Sequence, residues 1–178
     1  AARMARLDAE ISHDTDGLWA AQAVAASVAV AMVGGTTAQI VEAGTRQIPA
    51  ESALGRAMAA AFALCDQAGT IEEAWEPLHT VLRMPSHSAS AEAIPQIYAL
   101  FRLTDGDFRR AMFWGANFGR DADTIAAVLG ALCGARCGLS VIPSAWVERV
   151  RRPSGVCLRF AAGEDILTLA TQLADLIR

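Results

Sequence analysis

The stretch Asn117-Phe118-Gly119-Arg120-Asp121-Ala122-Asp123-Thr124 concentrates the side chains best suited to chemistry. Two carboxylates two residues apart, followed at once by a hydroxyl, sit where a loop turns into a helix and can converge on a hard cation through oxygen. A simpler use fits the same spacing, because aspartate is a favoured helix cap and acidic side chains suit a first helical turn. On spacing alone capping is the commoner outcome of such a short motif. Asn117 and Gly119 go beyond what a cap requires, since they let a short amide and bare backbone approach a ligand beside the carboxylates. A second segment, Ser12-His13-Asp14-Thr15-Asp16-Gly17, reads as one loop holding a histidine, two carboxylates and two hydroxyls ahead of an alanine-rich helix. Residue types again favour capping there, since Asp14, Thr15 and Asp16 are all competent caps and Thr15 or Asp16 would serve, with His13 exposed.

Other chemistry finds little support. His79 and His87 have no partner nearby in sequence, and no G-x-S-x-G elbow, P-loop or dinucleotide-binding glycine pattern occurs. Cys65, Cys133, Cys137 and Cys157 form no C-x-x-C pair and have no histidine at zinc spacing, so they read as reduced, small core side chains. Arg149, Arg151 and Arg152 read as a solvated helix end, where cations suit the macrodipole.

The elements that must position these groups are helices. Of 178 residues, 53% are hydrophobic and 19% charged, enough to bury one sizeable core and too little charge for a disordered chain. Alanine abounds while β-branched and aromatic residues are sparse, and no alternating run marks a strand, so the expected fold is all-α. Fifteen basic against nineteen acidic residues give a net charge of −4, which argues against capture of nucleic acid or an anionic membrane. The longest apolar run, Leu18 to Val33, falls short of the roughly 20 residues a bilayer span needs, and nothing resembles an export signal. A cytoplasmic location is the default expectation.

Start and stop signals divide the chain into helices over 18–33, 36 to just before Ile48-Pro49, 51–67, 70 to about 82, 90–103, 107–116, 124–137, 143–150 and 164–178. Thr36 with Gln39, and Thr70 with Glu73, have capping-box spacing, while Gly34-Gly35 and Gly69 mark ends. Gly130, Gly134 and Gly138 share one face of a helix and predict close packing along it. No linker or repeat suggests a second domain.

The run from Gly119-Arg120-Asp121-Ala122-Asp123-Thr124-Ile125-Ala126 through Gly130, Gly134 and Gly138 to Ile142-Pro143 and Trp146 resembles the C-terminal signature of the ADP-ribosylglycohydrolase family. That signature joins a Gly-x-Asp-x-Asp-Thr core to a Gly-Ala-rich helix and an Ile-Pro-x-x-Trp turn, in this order. The Ser12-His13 loop and the helix after Gly17 are similar to the family's middle region, so the likeness covers nearly the whole chain. Arg120 stands where many members have glycine, and Ala122 where many have threonine.

The resemblance implies a compact all-helical domain with a binuclear Mg²⁺ or Mn²⁺ site at the base of a cleft for ADP-ribose, free or on a modified protein. By it, Asp121, Asp123 and Thr124 are metal ligands, Asn117 and Gly119 line the cleft, and His13, Asp14, Asp16 and Gly17 border the ribose and phosphates. The implied reaction is hydrolysis at the anomeric carbon of a ribose, and no single side chain is assigned as its catalyst. Family members also carry an N-terminal half with a Gly-Asp-rich segment and a Thr-Asp-Asp metal motif, neither of which occurs here. The chain therefore reads as the C-terminal portion of one such domain, with the other half as a partner; an enzymatically silent binding or structural member is the alternative.

Overall fold

The computed structural model describes residues 1–176, and among these every regular element is helical, as the missing alternation predicts. The helices are α1 (Ala2–Ala9), α2 (Thr15–Met32), α3 (Thr37–Thr45), α4 (Ala53–Ala68), α5 (Ile71–Val81), α6 (Ser90–Leu103), α7 (Phe108–Asn117), α8 (Ala122–Cys137), α9 (Ser144–Val150) and α10 (Ile166–Asp175). Short 3₁₀ turns occupy Leu139–Val141 and Arg159–Ala161. The chain divides into two compact units, Ala1–Val141 and Ile142–Arg178. The last two positions of the helix expected over 164–178 lie outside the described residues.

Capping chemistry sets most boundaries. Thr36 and Gln39 form the reciprocal capping box, and Ser52 and Thr70 accept the N–H of Gly55 and Glu73 at the heads of α4 and α5. Two starts come earlier than the sequence suggests. α2 begins at Thr15, so Asp16 and Gly17 belong to its first turn rather than to the preceding loop, and α8 begins at Ala122, ahead of Asp123 and Thr124. α1 carries no signal that predicts it, since its cap position, Ala1, makes no side-chain cap bond and none of its residues is buried.

In the first unit α6 is the central element, with Ala91 through Phe101 buried in succession. A helix buried all round packs on neighbours from every side. The Tyr98 hydroxyl donates to Ser27 Oγ at 2.6 Å, and Ser27 in turn donates to the carbonyl of Ile40 at 2.8 Å, tying α6, α2 and α3 together. Burial pushes the Tyr98 phenol up to about 12, so it remains a donor. Gly44 makes room for this knot, because a Cβ there would lie 2.0 Å from the Tyr98 oxygen.

Contacts fix the helix directions. Glu92 near the start of α6 meets Arg120 just before α8, while Arg136 near the end of α8 donates to the carbonyl of Asp105, just past the end of α6. Arg136 also donates to Thr37, which follows the end of α2, and Leu54 at the head of α4 donates its N–H to Asp16 at the head of α2. α2, α4, α6 and α8 thus start at one end of the unit. α5 and α7 return: the Gln96 amide donates to Leu78 O and Met84 N–H to Glu92, and Gly115 abuts Ala126 and Leu129 while Gly130 faces Met112.

That register corrects the glycine-stripe expectation. Only Gly130 of the three packs closely, 3.3 Å from Met112 Sδ, whereas nothing lies within 4 Å of a Cβ at Gly134 or Gly138. α7 is too short to cover them; in the antiparallel register Gly134 is level with its first residue. The cysteines are free as expected, but only Cys65 and Cys133 are core side chains, while Cys137 ends α8 at the surface and Cys157 is exposed in the second unit.

None of the described residues of the second unit is buried, so hydrophobic packing contributes little to its own cohesion. Its arginines are not simply a solvated helix end. Arg151 donates to both oxygens of Asp165 at 3.0 and 2.8 Å, and Arg152 to one at 3.0 Å. The Arg151 hydrogen bonds hold the Asp165 carboxyl down to about 2.

Candidate functional site

The end of the first unit where α2, α4, α6 and α8 begin carries the residues of the two candidate segments, 12–17 and 117–124. Helix starts expose unpaired N–H groups and a partial positive charge, which suits anionic side chains and ligands there. Between those starts lie residues 10–14, 83–89 and 118–121.

Asp121 occupies the cap position of α8 with φ −97° and ψ 46°, yet its side chain makes no cap hydrogen bond. The residue is 8% exposed. Capping, the simpler sequence reading, is therefore not what this carboxylate does. Asp123 and Thr124 follow in the first turn of α8, both exposed. Asn117 closes α7 with its amide turned back to donate to Phe113 O at 2.7 Å. Gly119 has φ +82°, and nothing lies within 4 Å of a Cβ built there, so the backbone is bare toward open space.

The earlier segment is arranged differently. Asp14, rather than Thr15 or Asp16, caps α2, accepting from Thr15 N at 2.6 Å. Asp16 accepts from Leu54 N at 3.3 Å, which joins the heads of α2 and α4. His13 is exposed with Nδ1 2.8 Å from Ser12 Oγ, and its ring covers Gly17, where a Cβ would lie 3.0 Å from the imidazole. Among the described residues no hydrogen bond or ion pair joins this segment to residues 117–124; they share an end of the bundle but are not in polar contact.

Sequence reasoning missed two supports of the 117–124 segment. Glu92 is 1% exposed on α6 and accepts three hydrogen bonds, from Met84 N–H at 2.6 Å and from Arg120 Nε and Nη2 at 2.6 and 2.8 Å, while Arg120 Nη2 also donates to Met84 O at 2.8 Å. Burial alone would raise the Glu92 carboxyl, but the Arg120 and Met84 bonds outweigh it and leave the group below its ordinary value. A glutamate amid the apolar run Ala91 to Phe101 was a legible signal, because a buried carboxylate needs a cationic partner. His79 is the other support. Its Nδ1 lies 2.7 Å from Trp75 O and its Nε2 2.5 Å from Phe118 O, and its ring stacks on Phe118 at 4.0 Å. The chain entering the Gly119-Arg120 turn is thus held from α5 and from α6.

The donors at 121, 123 and 124 are hard oxygens, the kind Mg²⁺ and Mn²⁺ take, and the buried, uncapped carboxylate of Asp121 suits a cation. Among the described residues no three His, Cys, Asp or Glu side chains gather into a metal-sized cluster, so the set is two carboxylates and a hydroxyl. Nor is any helix among them long and apolar enough to cross a membrane.

Comparison with known proteins gives one match. The ADP-ribosylglycohydrolase family model fits residues 1–178, while no curated protein and no solved structure matches the chain. All-helical, with the Asp-x-Asp-Thr segment at the head of α8 and the match running over its full 178 residues, the chain belongs to the ADP-ribosylglycohydrolase family.

Proposed function

We propose that the chain serves a divalent-metal-dependent hydrolase that cleaves a ribosyl bond of ADP-ribose or of an ADP-ribosylated substrate. The observation that carries this is Asp121, a carboxylate 8% exposed at a helix head that caps nothing, with Asp123 and Thr124 in the turn that follows. An ionised carboxylate withdrawn from water needs a counter-charge. In this reading Asp121, Asp123 and Thr124 hold Mg²⁺ or Mn²⁺, in a binuclear site as in the family. When bound, the ions supply positive charge that orients ribose hydroxyls and a water molecule. Gly119 leaves its backbone open to the sugar, and Asn117 flanks it. His13, Asp14, Asp16 and Gly17 border the ribose and phosphates at the head of α2, whose N–H groups suit phosphate oxygens.

Three side chains are fewer than the six oxygens a Mg²⁺ ion wants. Water and a Thr-Asp-Asp segment of the family's N-terminal half, acting as partner, complete the set in this reading. Turnover of an ADP-ribosylated peptide is therefore expected to be weak with residues 1–178 alone and restored by co-expression with such a segment; equal turnover by both would mean that the ligand assignment is wrong.

A second reading, a catalytically silent member that binds or scaffolds, draws on the absence of any three-residue His, Cys, Asp or Glu cluster among the described residues. Calorimetric titration with Mn²⁺, with and without ADP-ribose, separates the two. Mn²⁺ heat that Asp121→Ala abolishes supports the hydrolase. ADP-ribose binding without any Mn²⁺ heat supports the silent form.

A further inference from the structure

Arg120 poses a problem that the metal reading sharpens. It has φ +55°, a left-handed conformation that glycine adopts freely and arginine rarely does. Its guanidinium is a planar, permanently charged fork, the natural bidentate partner of a carboxylate. The next residue in the chain is Asp121, whose carboxylate accepts no cap bond, and Asp123 lies just beyond. Left to itself, a guanidinium one residue away is a strong competitor for any cation those carboxylates would hold.

The fork points elsewhere. Nε and Nη2 bind the two oxygens of Glu92 at 2.6 and 2.8 Å, and Nη2 also reaches Met84 O at 2.8 Å. Glu92 comes from α6, 28 residues away in sequence and 1% exposed, so its position is set by the core rather than by the turn. With Nε taken by Glu92 and Nη2 shared between Glu92 and Met84 O, the fork has no bidentate edge left for Asp121.

We propose that Glu92 is a positioning residue that sequesters Arg120, keeping the Asp121 and Asp123 carboxylates open to a cation. The inference rests on the metal reading for its consequence, though not for its geometry. It makes the departure from glycine at position 120 a matched pair with Glu92: the arginine is tolerated because a buried carboxylate draws it away.

The test uses the whole chain, folding checked by circular dichroism, with Mn²⁺ alone as the calorimetric probe. Glu92→Gln keeps the shape but weakens the hold on Arg120, and Mn²⁺ affinity is expected to fall about tenfold or more, in the range typical of changes one shell away from a metal. Glu92→Gln combined with Arg120→Gly removes the competitor, and affinity is expected to return to that of the unaltered chain. A merely structural Glu92 would show no such rescue, so persistent loss in a folded double variant overturns the proposal, as does unchanged affinity in Glu92→Gln. If Glu92→Gln does not fold, Glu92→Asp with and without Arg120→Gly carries the same comparison. A crystal structure of Glu92→Gln gives a reading independent of any metal: Arg120 is expected to turn onto Asp121, and an Asp121 still free of Arg120 overturns the proposal. Should the unaltered chain bind no Mn²⁺ while Arg120 does turn onto Asp121 in that variant, the sequestration stands and the assignment of Asp121, Asp123 and Thr124 as metal ligands falls alone.

Discussion

Two helices of the first unit, α7 and α8, begin at an aspartate preceded by two residues of positive φ, and the two aspartates do opposite things. Asp107 follows Asp105 (φ +49°) and Gly106 (φ +67°), is exposed, and accepts the N–H of Arg110 at 2.8 Å. Asp121 follows Gly119 (φ +82°) and Arg120 (φ +55°), is largely buried, and accepts no cap bond. The local recipe is nearly the same, so the difference comes from outside it. At α7 glycine stands immediately before the aspartate, and the arginine that holds the turn, Arg136 of α8, takes the Asp105 carbonyl. At α8 an arginine stands there, held by Glu92, while His79 anchors Phe118. One aspartate stabilises its helix, and the other is left available.

The pair can be broken at either side. Asp121→Ala should reduce Mn²⁺ affinity by more than about 100-fold, beyond the losses typical of residues one shell further out, while hardly moving the unfolding midpoint, because no cap is lost; calorimetry and thermal unfolding on the same sample check both halves. Within α7, Gly115→Ala places a Cβ 2.7 Å from Leu129 Cδ1. That overpacking should cost about 1–3 kcal/mol in urea unfolding. Asp107→Ala removes a working cap and should cost about 1 kcal/mol, lowering the midpoint by roughly 2–4 °C with Mn²⁺ affinity unchanged. Gly134→Ala in α8 meets open space and should stabilise by about 0.5–1 kcal/mol, through helix propensity alone.

The smallest expected effect is a pH dependence. The Glu92 carboxyl sits below its ordinary value of 4.5 in the folded chain, so its contribution is complete above that pH and fades as pH falls through the lower folded value. Unfolding midpoints measured downward from pH 5 should drop less steeply for Glu92→Gln than for the unaltered chain; parallel curves would count against a depressed carboxyl.

Much of this was legible in the residues. Capping boxes, glycine stops and the absence of alternation were enough for nearly every helix, because those signals act within a few residues of the boundary they set. α1 was not legible, since it has no cap bond and no buried residue and owes its place to packing on α2. The Asp-x-Asp-Thr segment could be found but its state could not. Spacing shows neither that Asp121 leaves α8 uncapped nor that the Arg120 beside it is bound by a carboxylate 28 positions back. Nor could spacing reveal that Gly134 and Gly138 face open space, because that follows from where α7 stops.

The shared starting end of α2, α4, α6 and α8 has a consequence for how such a chain can vary. Their connections onward, at Gly34-Gly35, Gly69, Gly106 and Gly138, lie at the opposite end and are closed by glycines of positive φ, except Gly35. Those turns set helix register and spacing. The segments 10–14, 46–52, 83–89 and 118–121, which lead into the helix heads, carry the polar groups instead. Selectivity can therefore drift through one set of connections while the other preserves the frame, and an inserted tag or reporter belongs at Gly69, far from the heads of α2, α4, α6 and α8.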